Sequence, residues 1–258
     1  MKTKSAKQKT LAVDIGNTMT HLAVFDNGQA KGMARFKTGW PRARLSNKVS
    51  ALFKKRLYQD IDQVILCSVV PRRTKMIADI LSRSCRQKVR IVGQGVKVPL
   101  RNRYRRPAQV GRDRLVGAFA AVQLYKPPVI IVDLGTAITL DVVSKQCEYM
   151  GGLIVPGLGL STAALHHNTA LLPLVEIRKP TEVIGRDTRS SILSGIFYGY
   201  GSMLTGLIDI LSKQVRGRPK IIMTGGYADL MRKYFHRNVI IERDLVLKGL
   251  HFLSTSRR

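Results

Sequence analysis

The amino-acid sequence predicts a duplicated α/β protein, and three observations carry that prediction. The first is an internal echo. Leu11-Ala-Val-Asp14-Ile-Gly16-Asn-Thr18-Met-Thr20, followed by the apolar stretch His21 to Phe25, returns 119 residues later as Ile130-Ile-Val-Asp133-Leu-Gly135-Thr136-Ala-Ile-Thr139, followed by Leu140 to Val143. At that shift Asp14 matches Asp133, Gly16 matches Gly135 and Thr20 matches Thr139, as in a repeated supersecondary unit. The second is alternation: short apolar runs of strand length are separated by segments with helical period. The third is size, since 258 residues, 45% of them apolar, suffice for two ordinary domains with real cores.

Each opening reads as a buried strand, a tight glycine turn and a returning strand. Ser46 is expected to cap a helix whose face carries Val49, Leu52, Phe53 and Leu57. Val64 to Cys67 is a short buried strand. Pro71 opens a helix with Met76, Ile77, Ile80 and Leu81 inward, because proline at the first helical position gives up no hydrogen bond. After Gly111, one helical face carries Leu115, Ala118, Phe119 and Val122. Ile192, Ile196, Leu204, Leu207, Ile208 and Leu211 predict a long helix, interrupted by Gly195, Gly199, Gly201 and Gly206. Those glycines lower helix propensity, so close backbone packing is expected there, in a dimer contact for example. Ile221 to Gly226 reads as a strand entering a glycine turn. Lys126-Pro127-Pro128 is the expected boundary between domains 1–126 and 127–258.

The chain carries 44 Lys and Arg against 16 Asp and Glu, a formal charge of +28. Residues 1–126 hold 28 of the bases and 6 of the acids, so the excess sits in the first half. A polyanionic partner, an anionic small substrate or a basic proteome would each account for it; charge speaks to association and not to fold. The apolar content excludes global disorder. Uninterrupted apolar runs fall far short of a bilayer crossing, so no membrane span is expected. The basic decapeptide Met1–Thr10 is followed by an apolar run that breaks at Asp14, too short for a signal-peptide core, and a cytosolic protein is expected. Cys67, Cys85 and Cys147 have neither disulfide-framework nor zinc spacing.

A carboxylate at a strand end followed by a glycine turn exposes backbone N–H groups and a hydroxyl in one concavity. Asp14-Ile15-Gly16-Asn17-Thr18 can therefore hold phosphate oxygens, with Asp14 holding a hydrated cation. Taken alone it reads first as a turn in which Asp and Asn satisfy their own backbone. The second copy favours a pair of phosphate loops forming a nucleotide clamp. Neither a Walker loop nor a dinucleotide fingerprint is present. Asp113, where a helix should begin, is favoured in its ionised form by the helix dipole and by Arg112 and Arg114. Such a carboxylate can take a proton from an attacking hydroxyl, and an arginine of the run can clasp a substrate carboxylate.

In order along the chain, these motifs resemble those of type III pantothenate kinases, within the actin, hexokinase and Hsp70 superfamily. The matching segments are Asp14 to Thr18, Tyr104 to Arg114, Asp133 to Asp141, Gly151 to Gly157, Ile184 to Thr188, Ser194-Gly195 and Thr224 to Gly226. The resemblance implies a duplicated actin-like, ribonuclease H-like fold with an ATP cleft between the halves. It implies transfer of the ATP γ-phosphoryl group to pantothenate, the first step of coenzyme A synthesis, with a divalent ion such as Mg. By resemblance, Asp14, Ile15, Gly16, Asn17, Thr18, Met19, Thr20 and His21 bind the ATP phosphates, with Thr136 adding a hydroxyl. Asp133 holds a monovalent cation, K or NH4. Tyr104, Gly111, Arg112, Asp113, Arg114 and Thr188 bind pantothenate, and Asp113 is the general base. A cytoplasmic homodimer is implied.

Two features depart from that pattern. His21 stands where many superfamily kinases place a lysine, and the basic charge exceeds what the reaction needs. The alternative is a nucleic-acid-associated or transcription accessory protein on the same fold, binding without sequence preference; aromatic stacking residues are few for a dedicated reader. His166-His167 lacks a third ligand and reads as one core and one surface residue.

Overall fold

The computed structural model describes residues 8–255, so the first seven residues of the basic N-terminal decapeptide lie outside it. In chain order the elements are β1 (Lys9–Ile15), β2 (Met19–Asp26), β3 (Gln29–Lys37), α1 (Arg42–Phe53), β4 (Gln63–Ser68), α2 (Pro71–Cys85), β5 (Val89–Val92), β6 (Gly95–Val96), β7 (Arg101–Asn102) and α3 (Arg112–Leu124). They continue with β8 (Val129–Leu134), β9 (Ala137–Val143), β10 (Glu148–Pro156), α4 (Leu158–His167), α5 (Thr188–Lys213), β11 (Lys220–Thr224), α6 (Ala228–Met231), β12 (Ile240–Ile241) and α7 (Leu245–Thr255). Contacts divide the chain into two units. One holds the residues up to Leu100, Ala108–Gln123 and those from Leu245 on; the other holds Arg101–Pro107 and Leu124–Asp244.

In the first unit the sheet order is β3-β2-β1-β4-β5-β6, with β1–β2–β3 antiparallel and β4, β5 and β6 parallel additions. Asn27-Gly28, both at positive φ (51° and 80°), closes the β2–β3 hairpin, the backbone such a two-residue turn requires. Strand alternation gives the sheet two apolar faces. Leu11, Val13 and Ile15 join Leu45, Val49 and Leu52 of α1 and Ile77, Ile80 and Leu81 of α2. Ala12, Phe25, Ile65 and Cys67 join Val116 and Phe119 of α3 and Leu247, Leu250 and Leu253 of α7. Each large apolar side chain fully buried here is worth about 1.5–3 kcal/mol over its exposed state.

The second unit repeats the plan, in the order β12-β11-β8-β9-β10-β7. Strands β8, β9, β10, β11 and β12 take the places of β1, β2, β3, β4 and β5, and β7 adds to the β10 edge. Ile130, Val132, Leu134, Ile138, Leu140 and Val142 form one core with Ile192, Ile196, Phe197, Leu204 and Ile208 of α5. Helix α5 begins with a capping box in which Asp187 accepts from the Ser190 N–H and the Ser190 hydroxyl accepts from the Asp187 N–H.

Three expectations change in detail. Helix α1 starts at Arg42, not after Ser46, because its buried stripe begins at Leu45 and Pro41 takes the N-cap position. The two units are not the contiguous stretches 1–126 and 127–258. They differ at 101–107, at 124–126 and from 245 on, because β7 pairs with β10 and the apolar stripe of α7 packs on β1 and β4. Helix α5, 26 residues long, does have the length and mean hydropathy (1.2) of a membrane span, although no uninterrupted apolar run is that long. Its inner face is packed into the core of the second unit.

Candidate active site

In the first unit Asp14 is the penultimate residue of β1, opposite His21 of β2 and Cys67 of β4. It follows Ala12 by two residues, so its side chain leaves the sheet on the face covered by α3 and α7. The turn after it is tight. The Gly16 N–H donates to the Met19 carbonyl (3.0 Å), the Thr38 hydroxyl donates to the Gly16 carbonyl (2.8 Å), and the Thr38 N–H donates to the Thr18 carbonyl (3.0 Å). Asn17 and Thr18 are exposed at its tip, while Ile15 and Thr20 are fully buried. The Thr20 hydroxyl bonds that of Thr38 (2.9 Å). At positions 15 and 20 the turn therefore presents no side chain to a ligand. Peptide N–H groups and the exposed Asn17 and Thr18 side chains are of the chemistry that suits phosphate oxygens.

Asp113 lies in the first turn of α3, half-buried, and its Oδ1 accepts from the Arg114 N–H at 2.8 Å. A Cβ added at Gly111 would stand 2.5 Å from that oxygen, so glycine there leaves room for the carboxylate. Arg112 turns back to donate to the Val92 carbonyl (2.6 Å), across Gly93, whose φ of +80° and missing Cβ admit the guanidinium. Cys67 reports how these groups meet. Burial pushes its thiol well above the ordinary range, the negative charges of Asp14 and Asp113 push it further, and Arg112 with a backbone hydrogen bond at Ser68 opposes them. The phosphate-type turn and the acid of α3 thus share one neighbourhood on one face of one sheet. Cys67 was not among the residues expected at the site; the signal was its place at the end of the strand beside Asp14.

In the second unit Asp133 occupies the corresponding position of β8, opposite Thr139 of β9 and Thr224 of β11. The turn here holds one residue fewer, since Leu134 pairs with Ile138 whereas Ile15 pairs with Thr20. Thr139 therefore stands where His21 does, and Ile138 stands where Thr20 does. Gly225, at φ +91°, is where a Cβ would collide with Asp133 Oδ1. Thr136 is exposed at the turn tip, and its carbonyl accepts from the Gly157 N–H (3.1 Å). Behind Asp133, the buried Asp141 accepts from Thr139 Oγ1 (2.9 Å) and Tyr149 Oη (2.6 Å).

The remaining expected residues sit on separate elements of the second unit. Tyr104 is held over β10. Its N–H donates to Asn102 Oδ1 (2.9 Å), the Arg103 N–H donates to the Tyr149 carbonyl (2.8 Å), and its ring lies where a side chain at Gly151 (φ +112°) would otherwise go. Arg101 and Arg103 both pair with Glu148 (3.2 and 2.9 Å). Thr188 is the exposed first residue of α5, in a groove of about 720 Å³ lined also by Leu165, Leu172, Arg186 and Ile192. Among the described residues no group of three or more His, Cys, Asp or Glu gathers as a metal cluster, and His166 spends Nδ1 on the Leu172 carbonyl (2.9 Å).

Two ribonuclease H-like sheets, each with an aspartate at the end of its first strand and a glycine turn after it, define an actin-like ATPase fold. Solved structures agree on that fold. The chain is similar to the ethanolamine utilization protein EutJ from Carboxydothermus hydrogenoformans, with a TM-score of 0.56, 15% identity and coverage of 97% and 91% of the two chains. It is also similar to a ROK family glucokinase from Streptomyces griseus, with a TM-score of 0.54, 13% identity and coverage of 95% and 98%. The sequence profile described as Type III pantothenate kinase matches residues 10–210. Proteins of that name from Sulfurihydrogenibium sp. (strain YO3AOP1) and Halalkalibacterium halodurans are each 37% identical over 247 residues, 94% of this chain and 98% and 97% of theirs. The chain belongs to the type III pantothenate kinase family.

Proposed function

We propose that this protein transfers the γ-phosphoryl group of ATP to the primary hydroxyl of pantothenate, giving ADP and 4'-phosphopantothenate, the first step of coenzyme A synthesis. Beside family membership, the observation that carries the reading is the shared neighbourhood of Asp14 and Asp113 around Cys67. One acid follows from the phosphate-type turn and the other from the start of α3, so a phosphate chain and an attacking alcohol have partners on one face.

The turn from Asp14 to His21 cradles the phosphates through its backbone and the Asn17 and Thr18 side chains, and Asp14 favours the divalent ion that accompanies ATP. Asp113 accepts the proton of the alcohol as that oxygen bonds to the γ-phosphorus and the bond to the bridging oxygen of ADP breaks. In a loose phosphoryl-transfer transition state, positioning and charge neutralisation carry most of the rate, so a carboxylate of ordinary basicity serves. Tyr104, Gly111, Arg114 and Thr188 bind pantothenate. Arg112, committed to Val92, positions the start of α3 more than it reaches for substrate. Thr136 adds a hydroxyl to the nucleotide. Asp133 forms the oxygen-rich seat of a monovalent cation, K or NH4; its half-buried carboxylate beside two threonines is a hard-donor environment that suits such an ion.

The enzyme is a cytoplasmic homodimer in this reading. Gly195, Gly199 and Gly206 of α5 face open space, and Leu171 and Ile184 nearby are 91% and 81% exposed, a surface that a second copy would cover. A nucleic-acid-associated role is the second reading, favoured by the +28 charge alone. The deciding experiment is an assay of ADP release with and without pantothenate, in magnesium with either potassium or sodium. We expect pantothenate-dependent release that is faster in potassium; release indifferent to pantothenate would sink the activity, and equal rates in the two salts would sink the cation seat.

A further inference from the structure

Helices α1 and α2 cover the face of the first sheet opposite the one from which Asp14, Cys67 and α3 project. On their outer side they enclose a groove of about 320 Å³. Arg42, Ser46 and Ser50 line one wall, at positions i, i+4 and i+8 of α1, and therefore on one stripe about 12 Å long. Arg83 and Ser84 of α2 line the other, over Ile80. The charge around it is strongly basic along the chain: residues 27–59 carry nine bases and no acid, and residues 80–112 carry ten bases and no acid, with Asp79 of α2, one turn before Arg83, as the acid that borders the groove.

Four other arginines of this unit are occupied, while Arg35, Arg56, Arg72 and Arg86 lie outside the groove. Arg73 donates to the Trp40 and Gly39 carbonyls, Arg90 to Gln63, Arg112 to Val92, and Arg44 lies over the Trp40 ring. Arg42 and Arg83 make neither ion pair nor hydrogen bond with the described residues, and the hydroxyls of Ser46 and Ser50 likewise. Pro41 at the N-cap gives α1 no side-chain cap, so the first-turn N–H groups beside Arg42 stay open. Two guanidinium forks, two uncommitted hydroxyls and an uncapped helix start converge on a groove of small-molecule size. That donor set matches phosphate oxygens.

We infer that the α1–α2 groove binds a phosphate-bearing ligand, either a free oligophosphate or the backbone of a nucleic acid, at a site separate from the phosphoryl-transfer site. The test uses the full chain saturated with magnesium and a non-hydrolysable ATP analogue, which occupies the nucleotide turn. Inorganic pyrophosphate is titrated by calorimetry and a fluorescent twelve-nucleotide single strand by anisotropy, for the wild type and two double variants. Arg42→Glu/Arg83→Glu alters the groove; Lys31→Glu/Lys97→Glu makes the same change in charge on exposed residues elsewhere in the unit. The groove variant should weaken at least one probe by about ten-fold or more relative to the control variant, as expected when charged hydrogen bonds are lost. Pantothenate phosphorylation should stay unchanged. Loss of pyrophosphate alone assigns a small phosphate ligand. Loss of the oligonucleotide, without competition from pyrophosphate, assigns a nucleic-acid backbone. Equal loss in both variants, or binding of neither probe, overturns the site; impaired kinase activity in the groove variant alone overturns its separation from the reaction.

Discussion

Asp14 and Asp133 stand one residue from the end of the first strand in two sheets of the same order, but across the hairpin Asp14 faces His21 and Asp133 faces Thr139. On the other side Asp14 neighbours Cys67, and Asp133 neighbours Thr224. The first aspartate shares its surroundings with another acid, Asp113, and a guanidinium. The second stands between two threonines, Thr139 and Thr224, with Gly225 leaving space for its carboxylate and Asp141 holding Thr139 behind it. Duplication preserved the backbone device, a carboxylate before a glycine turn, and let side chains around it diverge. In the function we propose, the charges around the first copy serve proton and phosphoryl transfer, and the neutral oxygens beside the second suit a weakly held cation.

The largest effect should separate the copies at Asp113. Asp113→Asn keeps the start of α3 and removes the proton acceptor, so turnover should fall by about 100-fold or more while ATP affinity is unchanged. Steady-state kinetics with a nucleotide-binding titration reads both; full turnover in the variant would end the contrast. A smaller effect belongs to the second copy. Gly225→Ala places a Cβ against Asp133 on a backbone at φ +91°, which should cost roughly 1–3 kcal/mol in urea denaturation and abolish any preference for potassium. Gly199→Ala, where nothing lies within 4 Å, should instead gain up to about 1 kcal/mol of helix stability in an isolated chain. If sedimentation shows that it dissociates a dimer, the glycine face of α5 is the contact.

The smallest effect is a pH dependence confined to the first unit. His251 of α7 stacks on Phe25 with ring centroids 4.5 Å apart, and burial holds its imidazole below the ordinary histidine range. The unfolded chain thus takes up a proton near pH 6.5 that the folded chain refuses. Stability should be complete above that pH and decline as pH falls below it, until the folded histidine also titrates. His251→Phe, which keeps the stack, should flatten that slope in thermal melts; an unchanged slope would place the proton uptake elsewhere.

Much of the local structure was legible because local physics decides it. The two hairpins, the strand Val64 to Cys67, the helix opened by Pro71 and the long helix of residues 188–213 all follow from period and punctuation. The start of α1 was read five residues late, because Ser46 has capping chemistry while Leu45 has to be buried. The echo was in register only as far as the glycine. A difference of one residue in turn length moves Thr139 into the place of His21, and a constant shift in sequence cannot show that. Nor could the glycines of α5 be sorted: Gly201 lies against the backbone of Tyr234, while Gly195, Gly199 and Gly206 face outward.

The sequence by itself determined that carboxylates end two buried strands, that glycine turns follow them, and that an acid opens the helix after Gly111. Each depends on neighbours a few residues away. Only the tertiary structure decided which side of the first sheet Asp14 shares with Cys67 and Asp113, that α7 returns from the far end of the chain to that side, and that β7 fastens Tyr104 over Gly151. A strand alternates its side chains between two faces and does not specify what covers either one. That choice is made by long-range burial, where Leu247, Leu250 and Leu253 leave water together against β1 and β4.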